Sequence, residues 1–122
     1  MGTMTSIFSA LMGGGANLTT PADAARKVKE GTAVLIDVRE ADEWAEGVAV
    51  SAELLALFDL RRTRAAWGPF LEKNKGKELI LYCHSGGRSG MATKALKAEG
   101  YQASNLGGYS DWVGAGLPTR KP

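Results

Sequence analysis

Short apolar runs alternate with helical segments along this chain, and this alternation limits the folds that it can adopt. The runs at residues 33–38 and 78–82 are rich in leucine, isoleucine and valine, as buried strands are, and a third strand is predicted over 103–106. Segments 20–31 and 89–99 carry helix start and stop residues. Strands that alternate with helices form a parallel sheet with both faces covered. We therefore predict an α/β domain, with a parallel sheet of about five strands and helices on both faces.

The segments between these runs are predicted to be shorter elements. An acidic helix is expected near residues 40–46, and a brief strand over 48–50. A further helix is expected over 58–67, where a Gly-Pro pair ends it, and a last one over 109–113.

The composition suits one globular domain of ordinary charge. Lysine and arginine total 15 and aspartate and glutamate 13 among 122 residues, so the net charge of +2 argues against a nucleic-acid-binding protein. No apolar run approaches the roughly 18 residues of a membrane span, and the first twenty residues lack the basic start of a secretory signal. We predict a cytoplasmic protein with no membrane association, an N-terminal extension over residues 1–17 and a domain over 18–122.

The single cysteine, Cys83, directly precedes the single histidine, His84. One cysteine excludes an internal disulfide, and one cysteine with one histidine cannot build a Cys/His zinc site. We expect no metal and no organic cofactor. Cys83 follows the predicted strand over 78–82, at the sheet edge where α/β proteins bind ligands. Taken alone, the cysteine also fits a small buried core residue.

The residues that follow Cys83 favour a reactive cysteine. The sequence CHSGGRSG at 83–90 leads from a predicted strand into a predicted helix. Two adjacent glycines allow backbone conformations that turn successive N–H groups inward, and the helix N-terminus adds its positive end to this anion-binding nest. A sulfur at the mouth of such a nest is biased toward the nucleophilic thiolate.

This loop resembles the active-site loop of the rhodanese (thiosulfate sulfurtransferase) family. Other segments resemble the family in the same order: LIDVRE at 35–40 with Trp44 and Gly47, LGG at 106–108 with Trp112, and GLP at 116–118. The resemblance covers about residues 18–118. It implies a three-layer, rhodanese-like single domain that takes a sulfane sulfur from thiosulfate or a persulfide. The acceptor would be cyanide, a thiol or a protein.

Matching positions imply a role for each loop residue. Cys83 matches the nucleophile that carries the persulfide, and Arg88 matches the catalytic loop arginine. Asp37 and Arg39 match the pair that supports the site from a neighbouring strand. The persulfide-binding loop would comprise His84, Ser85, Gly86, Gly87 and Ser89.

Loop length separates sulfur transfer from related chemistries. Phosphatases and arsenate reductases of this fold have five residues between cysteine and arginine, whereas four lie between Cys83 and Arg88. The tighter nest suits a sulfur atom on the cysteine better than a tetrahedral phosphate. A phosphatase-like or arsenate-reducing enzyme is therefore the less favoured alternative. The other is a sulfur-carrier or sensing module that turns over slowly and docks to a protein partner.

Two further features qualify the resemblance. Val48 stands where family members have a histidine, which puts the local geometry near Asp37 in question.

Acidic residues dominate 37–59 and basic residues dominate 61–97. This asymmetry fits either solvated helix faces or the steering of an anionic donor or acidic carrier protein. The resemblance places a substrate-side segment at Arg61, Arg62 and Arg64.

Overall fold

The computed structural model describes residues 17–122, so most of the predicted extension over 1–17 lies outside the described residues. The helices are α1 (Pro21–Glu30), α2 (Ala41–Trp44), α3 (Leu57–Leu60), α4 (Trp67–Lys73), α5 (Gly87–Ala98) and α6 (Tyr109–Gly114). The strands are β1 (Ala33–Asp37), β2 (Val48–Ala49), β3 (Ala52–Leu54), β4 (Glu78–Cys83), β5 (Ala103–Gly108) and β6 (Thr119–Arg120). Within this part of the chain, no helix has the length and apolar character to cross a membrane.

Four of these strands form one parallel sheet in the order β3-β1-β4-β5, which confirms the predicted α/β fold. Next to β5, where a fifth strand would lie, there is a single parallel bridge between Leu18 and Asn105. The chain turns into α1 at Pro21, so this pairing ends after one bridge. Strands β2 and β6 form a separate antiparallel pair.

Hydrophobic cores lie on both faces of the sheet. On one face, Ile36 and Leu81 pack with residues of α3, α4 and α5, including Trp67. On the other, Leu35 and Tyr82 belong to a cluster that includes residues of α1 and α6. Successive strand residues point to opposite faces, so a sheet covered on both sides needs the nearly continuous apolar runs of β1 and β4.

The predicted helix over 58–67 is wrong, because the chain forms two helices, α3 and α4, in this region. The Asp59 carboxylate accepts hydrogen bonds from the backbone N–H groups of Ala65, Ala66 and Trp67 at 3.0–3.3 Å. Arg64 turns the chain with a φ of 58°. The side chain of Asp59 thus competes with helix continuation and satisfies the start of α4. The Gly-Pro pair lies in the first turn of α4, where proline is tolerated.

Candidate active site

Three segments meet at the carboxyl edge of the sheet. Val38 follows β1 and its N–H donates to the Tyr82 carbonyl at 3.0 Å, while Cys83 at the end of β4 pairs with Gly108 of β5. The loop after Cys83 packs tightly on β5, since a Cβ atom at Gly108 would collide with the His84 carbonyl oxygen. Glycine is therefore required where β5 passes this loop.

The Cys83 sulfur lies inside the loop that follows it. The residue is 1% exposed, its Sγ accepts a hydrogen bond from the Gly86 N–H at 3.0 Å, and the hydroxyl oxygen of Ser89 lies 3.4 Å from it. Gly86 has a φ of 103°, a left-handed conformation that favours glycine. This conformation precedes α5, whose first residues continue the loop.

Burial and hydrogen bonding act in opposite directions on the thiol. Burial, the largest influence, would raise the pKa of Cys83. The Ser89 hydroxyl and the backbone N–H groups of Ser89, Gly86 and Ser85 outweigh it, and the pKa of Cys83 lies below its ordinary value. The loop therefore favours the thiolate, which is the nucleophilic form.

Arg88 is held by a glutamate that the sequence did not indicate as a site residue. Its guanidinium donates two hydrogen bonds to the Glu43 carboxylate, at 2.7 and 2.8 Å. These bonds are the main reason why the pKa of Arg88 is raised, and attraction to Cys83 adds to it. The same ion pair lowers the pKa of Glu43 to about 2. Arg88 thus lies near the sulfur, and the Glu43 carboxylate of α2 balances its positive charge.

Asp37 and Arg39 form a buried ion pair at the end of β1. The Arg39 Nη2 lies 2.8 Å from Asp37 Oδ2 and 2.7 Å from the Gly47 carbonyl oxygen, and both side chains are almost fully buried. Trp44 Nε1 donates to Asp37 at 3.1 Å. Val48, in place of the family histidine, is fully buried in β2, which begins directly after Gly47. The Asp37–Arg39 pair is therefore complete without that histidine.

The three predicted substrate-side arginines separate into two groups. Arg61 and Arg62 line a cleft of about 490 Å³ together with Arg88, Glu40, Leu57 and Phe58. The Arg62 guanidinium lies over the Phe58 ring, 4.4 Å from its centroid. Arg64 instead makes a bidentate ion pair with Glu99, at 2.8 Å for each bond.

The remaining loop residues divide by exposure. His84, Ser85 and Gly87 are exposed, whereas Ser89 is fully buried in the first turn of α5. Ser89 also donates to the side chain of Asn105, at 2.7 Å. Asn105, like Glu43, was missed by the sequence analysis. Its one signal is that it is a polar residue in a predicted strand, directly before the LGG motif.

The described residues contain no group of three or more histidine, cysteine, aspartate or glutamate side chains that could hold a metal ion. The expectation that the reaction needs no cofactor stays a prediction.

The family model, the relatives and the solved structures that this chain resembles indicate the same protein family. Residues 20–115 match the family model of the rhodanese-like domain. The chain is 37% identical over 93 residues to the thiosulfate:glutathione sulfurtransferase of Saccharomyces cerevisiae, a match that covers 68% of this chain and 66% of the yeast protein. It is 33% identical over 108 residues to the uncharacterized protein slr1261 of Synechocystis, covering 86% of this chain and 57% of slr1261. The chain thus spans little more than half of slr1261.

Among solved structures, the human single-domain sulfurtransferase TSTD1 superimposes with a TM-score of 0.68 at 26% identity. That match covers 82% of this chain and 97% of the human one. The likeness therefore extends over nearly the whole of a single-domain relative.

Proposed function

This chain belongs to the rhodanese-like domain family, and from that premise we propose that it is a thiosulfate sulfurtransferase working through a persulfide on Cys83. The observation that carries the proposal is the Cys83 sulfur, which accepts a hydrogen bond from the Gly86 N–H and lies 3.4 Å from the Ser89 hydroxyl inside a tight loop. Its lowered pKa supplies the thiolate that the reaction needs. The yeast relative, named for thiosulfate and glutathione, supports sulfur transfer.

In the first step, the Cys83 thiolate attacks the outer sulfur of thiosulfate. A sulfur–sulfur bond forms at Cys83 while the bond inside thiosulfate breaks, and sulfite leaves with its electron pair. The negative charge then sits on the outer persulfide sulfur, which lies further into the loop. The loop N–H groups and the N-terminus of α5 are oriented before the reaction, so they stabilise this charge without reorganising.

In the second step, a thiophilic acceptor takes the outer sulfur. A cyanide ion or a thiolate attacks that sulfur, the persulfide bond breaks, and Cys83 regains its electron pair as a thiolate. The chain has no other cysteine, so the acceptor must come from outside the chain. The two half-reactions share one covalent intermediate, which gives ping-pong kinetics.

We assign Arg61 and Arg62 to the binding of the anionic substrate. Arg61 and Arg62 lie beside Arg88 in the same cleft, and they carry positive charge toward an anionic donor. Because Glu43 already balances Arg88, Arg61 and Arg62 supply most of the attraction for thiosulfate in this proposal. Asp37 and Arg39 support the site by fixing the end of β1.

The exposed ring of Phe58 favours a second candidate function. It is 60% exposed at the rim of the cleft, where a protein acceptor could cover it. In this alternative the chain is a sulfur-carrier or sensing module that passes sulfur to a protein partner and turns over small acceptors slowly. The four-residue spacing between Cys83 and Arg88 argues against a phosphatase-like or arsenate-reducing enzyme.

Thiocyanate formation from thiosulfate and cyanide tests the proposed function. We expect turnover that follows a ping-pong rate law, with no turnover in Cys83→Ser. A persulfide that forms but transfers only to a protein acceptor would favour the carrier function. Hydrolysis of a generic phosphate ester without any sulfur transfer would refute both.

A further inference from the structure

Asn105 lies in β5, and its side chain joins that strand to the loop that holds the sulfur. Its Nδ2 donates to the Gly86 carbonyl oxygen at 3.0 Å. Its Oδ1 accepts from the Ser89 hydroxyl at 2.7 Å and from the Gly107 N–H at 3.0 Å. One amide thus holds two residues of the loop whose groups contact Cys83.

The surroundings permit only one orientation of this amide. The backbone N–H of Gly107 can only donate a hydrogen bond, and the carbonyl of Gly86 can only accept one. Oδ1 must therefore face Gly107, and Nδ2 must face Gly86. Because Oδ1 can only accept, the single proton of the Ser89 hydroxyl points to Asn105, at 2.7 Å, while the hydroxyl oxygen stays 3.4 Å from the sulfur.

Gly86 has no side chain to hold it by packing, and its carbonyl is held from two sides, by the Gly90 N–H of α5 at 2.9 Å and by Asn105 of β5. Its N–H donates to the sulfur at 3.0 Å, and its backbone adopts a left-handed conformation. Glycine is the residue whose backbone has the most freedom, and another glycine follows it. The bond from Asn105 to the Gly86 carbonyl restrains the peptide that comes directly after the donating N–H.

Asn105 is itself anchored through its backbone. Its carbonyl accepts from the Thr19 N–H at 3.0 Å, at the single bridge beside the sheet. Between β4 and β5, Leu81 pairs with Asn105 but the next residue, Tyr82, pairs with Gly107. Leu106 is therefore the extra residue of a bulge, a feature that redirects neighbouring side chains and is common next to active sites.

We propose that Asn105 is a positioning residue that holds the Gly86 peptide in place, so that the Gly86 N–H faces the Cys83 sulfur. The proposal deepens the proposed function and rests on it for the use of that sulfur. Its direct consequence, the acidity of the thiol, can be measured whether or not the chain transfers sulfur. Hydrogen bonds to a thiolate favour the charged form, so loosening them raises the thiol pKa.

The test is the pH dependence of Cys83 alkylation by iodoacetamide, which reports one site because the chain has one cysteine. Asn105→Ala is made in a Ser89→Ala background, because the loss of Asn105 alone would free the Ser89 proton to donate to the sulfur. Relative to Ser89→Ala, we expect the midpoint of the profile to rise by about one pH unit. Asn105→Leu keeps the approximate size of the side chain, removes the amide that bonds to Gly86 and adds no charge near the sulfur. We expect a similar increase in the same background, and this variant serves where the alanine variant does not fold.

Ser104→Ala is the matched control. Ser104 is the neighbouring residue in β5, it is 6% exposed, and its hydroxyl bonds to Thr19 and Glu78, away from the loop. A purely structural role of Asn105 would make both variants less stable and leave both alkylation profiles unchanged. An unshifted Asn105→Ala profile, or an equal shift in Ser104→Ala, overturns the proposal. Absence of sulfur transfer in the wild type, with the Asn105 shift intact, overturns the proposed function instead.

Discussion

The guanidinium of Arg88 and the carboxylate of Glu43 meet in a bidentate ion pair, with bonds of 2.7 and 2.8 Å. The pair joins the start of α5 to α2, across 45 positions of sequence. It fixes the direction of the arginine and offsets its charge at the same time. The two functions can be separated by substitution.

Removing Arg88 and removing Glu43 should have unequal effects on catalysis. Arg88→Ala leaves the Glu43 carboxylate unbalanced near an anionic donor, so we expect kcat/KM for thiosulfate to fall by at least about tenfold. Glu43→Gln leaves the positive charge in place, and its kcat/KM should change much less. The double variant should recover part of the loss, because the repelling carboxylate is gone. Equal losses in the two single variants would contradict this assignment.

Glu43 should also make stability depend on pH in the acid range. Its pKa is lowered from 4.5 to about 2 in the folded chain, chiefly by the bonds from Arg88. The stabilisation is therefore complete above pH 4.5 and is lost as the pH falls toward 2. Because the pair is partly exposed to solvent, we expect a loss of about 1 kcal/mol.

Urea unfolding at several pH values across this window measures that loss. Glu43→Gln should remove this part of the pH dependence. Glu46→Gln, a change at an exposed glutamate near the end of the same helix, should keep the wild-type slope. If Glu43→Gln retains the full pH dependence of the free energy of unfolding, the ion pair is not the source of that dependence.

The sequence predicted the parts of the site that depend on local pattern. The apolar runs of β1 and β4 and the CHSGGRS loop are contiguous, so their roles follow from periodicity and resemblance. Glu43 and Asn105 lie 45 and 16 positions from the loop residues that they hold. No local pattern encodes such contacts, since the packing of the sheet creates them.

The wrong prediction of a single helix over residues 58–67 has a similar cause, a contact that the local sequence pattern does not encode. The periodicity fits one helix, but the Asp59 side chain captures the backbone N–H groups at the start of α4. A single side-chain hydrogen-bond acceptor thus divides the segment. The fifth strand is likewise reduced to one bridge because Pro21 starts α1 soon after Leu18.

The buried pair of Asp37 and Arg39 should be costly to break. Asp37→Asn leaves the Arg39 guanidinium buried without its countercharge, at 3% exposure. We expect the free energy of unfolding to fall by about 3–5 kcal/mol in urea denaturation. As a control, Glu99→Gln breaks the half-exposed pair with Arg64 and should cost less than about 1 kcal/mol. Similar costs for the two changes would show that Asp37 is not needed as a countercharge.

Arg61 and Arg62 should govern attraction of the donor rather than the chemical step. For the double variant Arg61→Gln/Arg62→Gln, we expect the KM for thiosulfate to rise about fivefold with little change in kcat, and its salt dependence to weaken. Arg64→Gln is the matched control, since Arg64 is bound to Glu99. An unchanged KM in the double variant would remove these two arginines from the substrate site.

The most direct test of the whole account is the intact mass of the protein after incubation with thiosulfate and removal of the excess. We predict that the wild-type chain gains the mass of one sulfur atom and loses it again when cyanide is added. Cys83→Ser should gain nothing under the same conditions. A wild-type mass that does not change, or a gain that persists in Cys83→Ser, would contradict the assignment of Cys83 as the residue that carries the transferred sulfur.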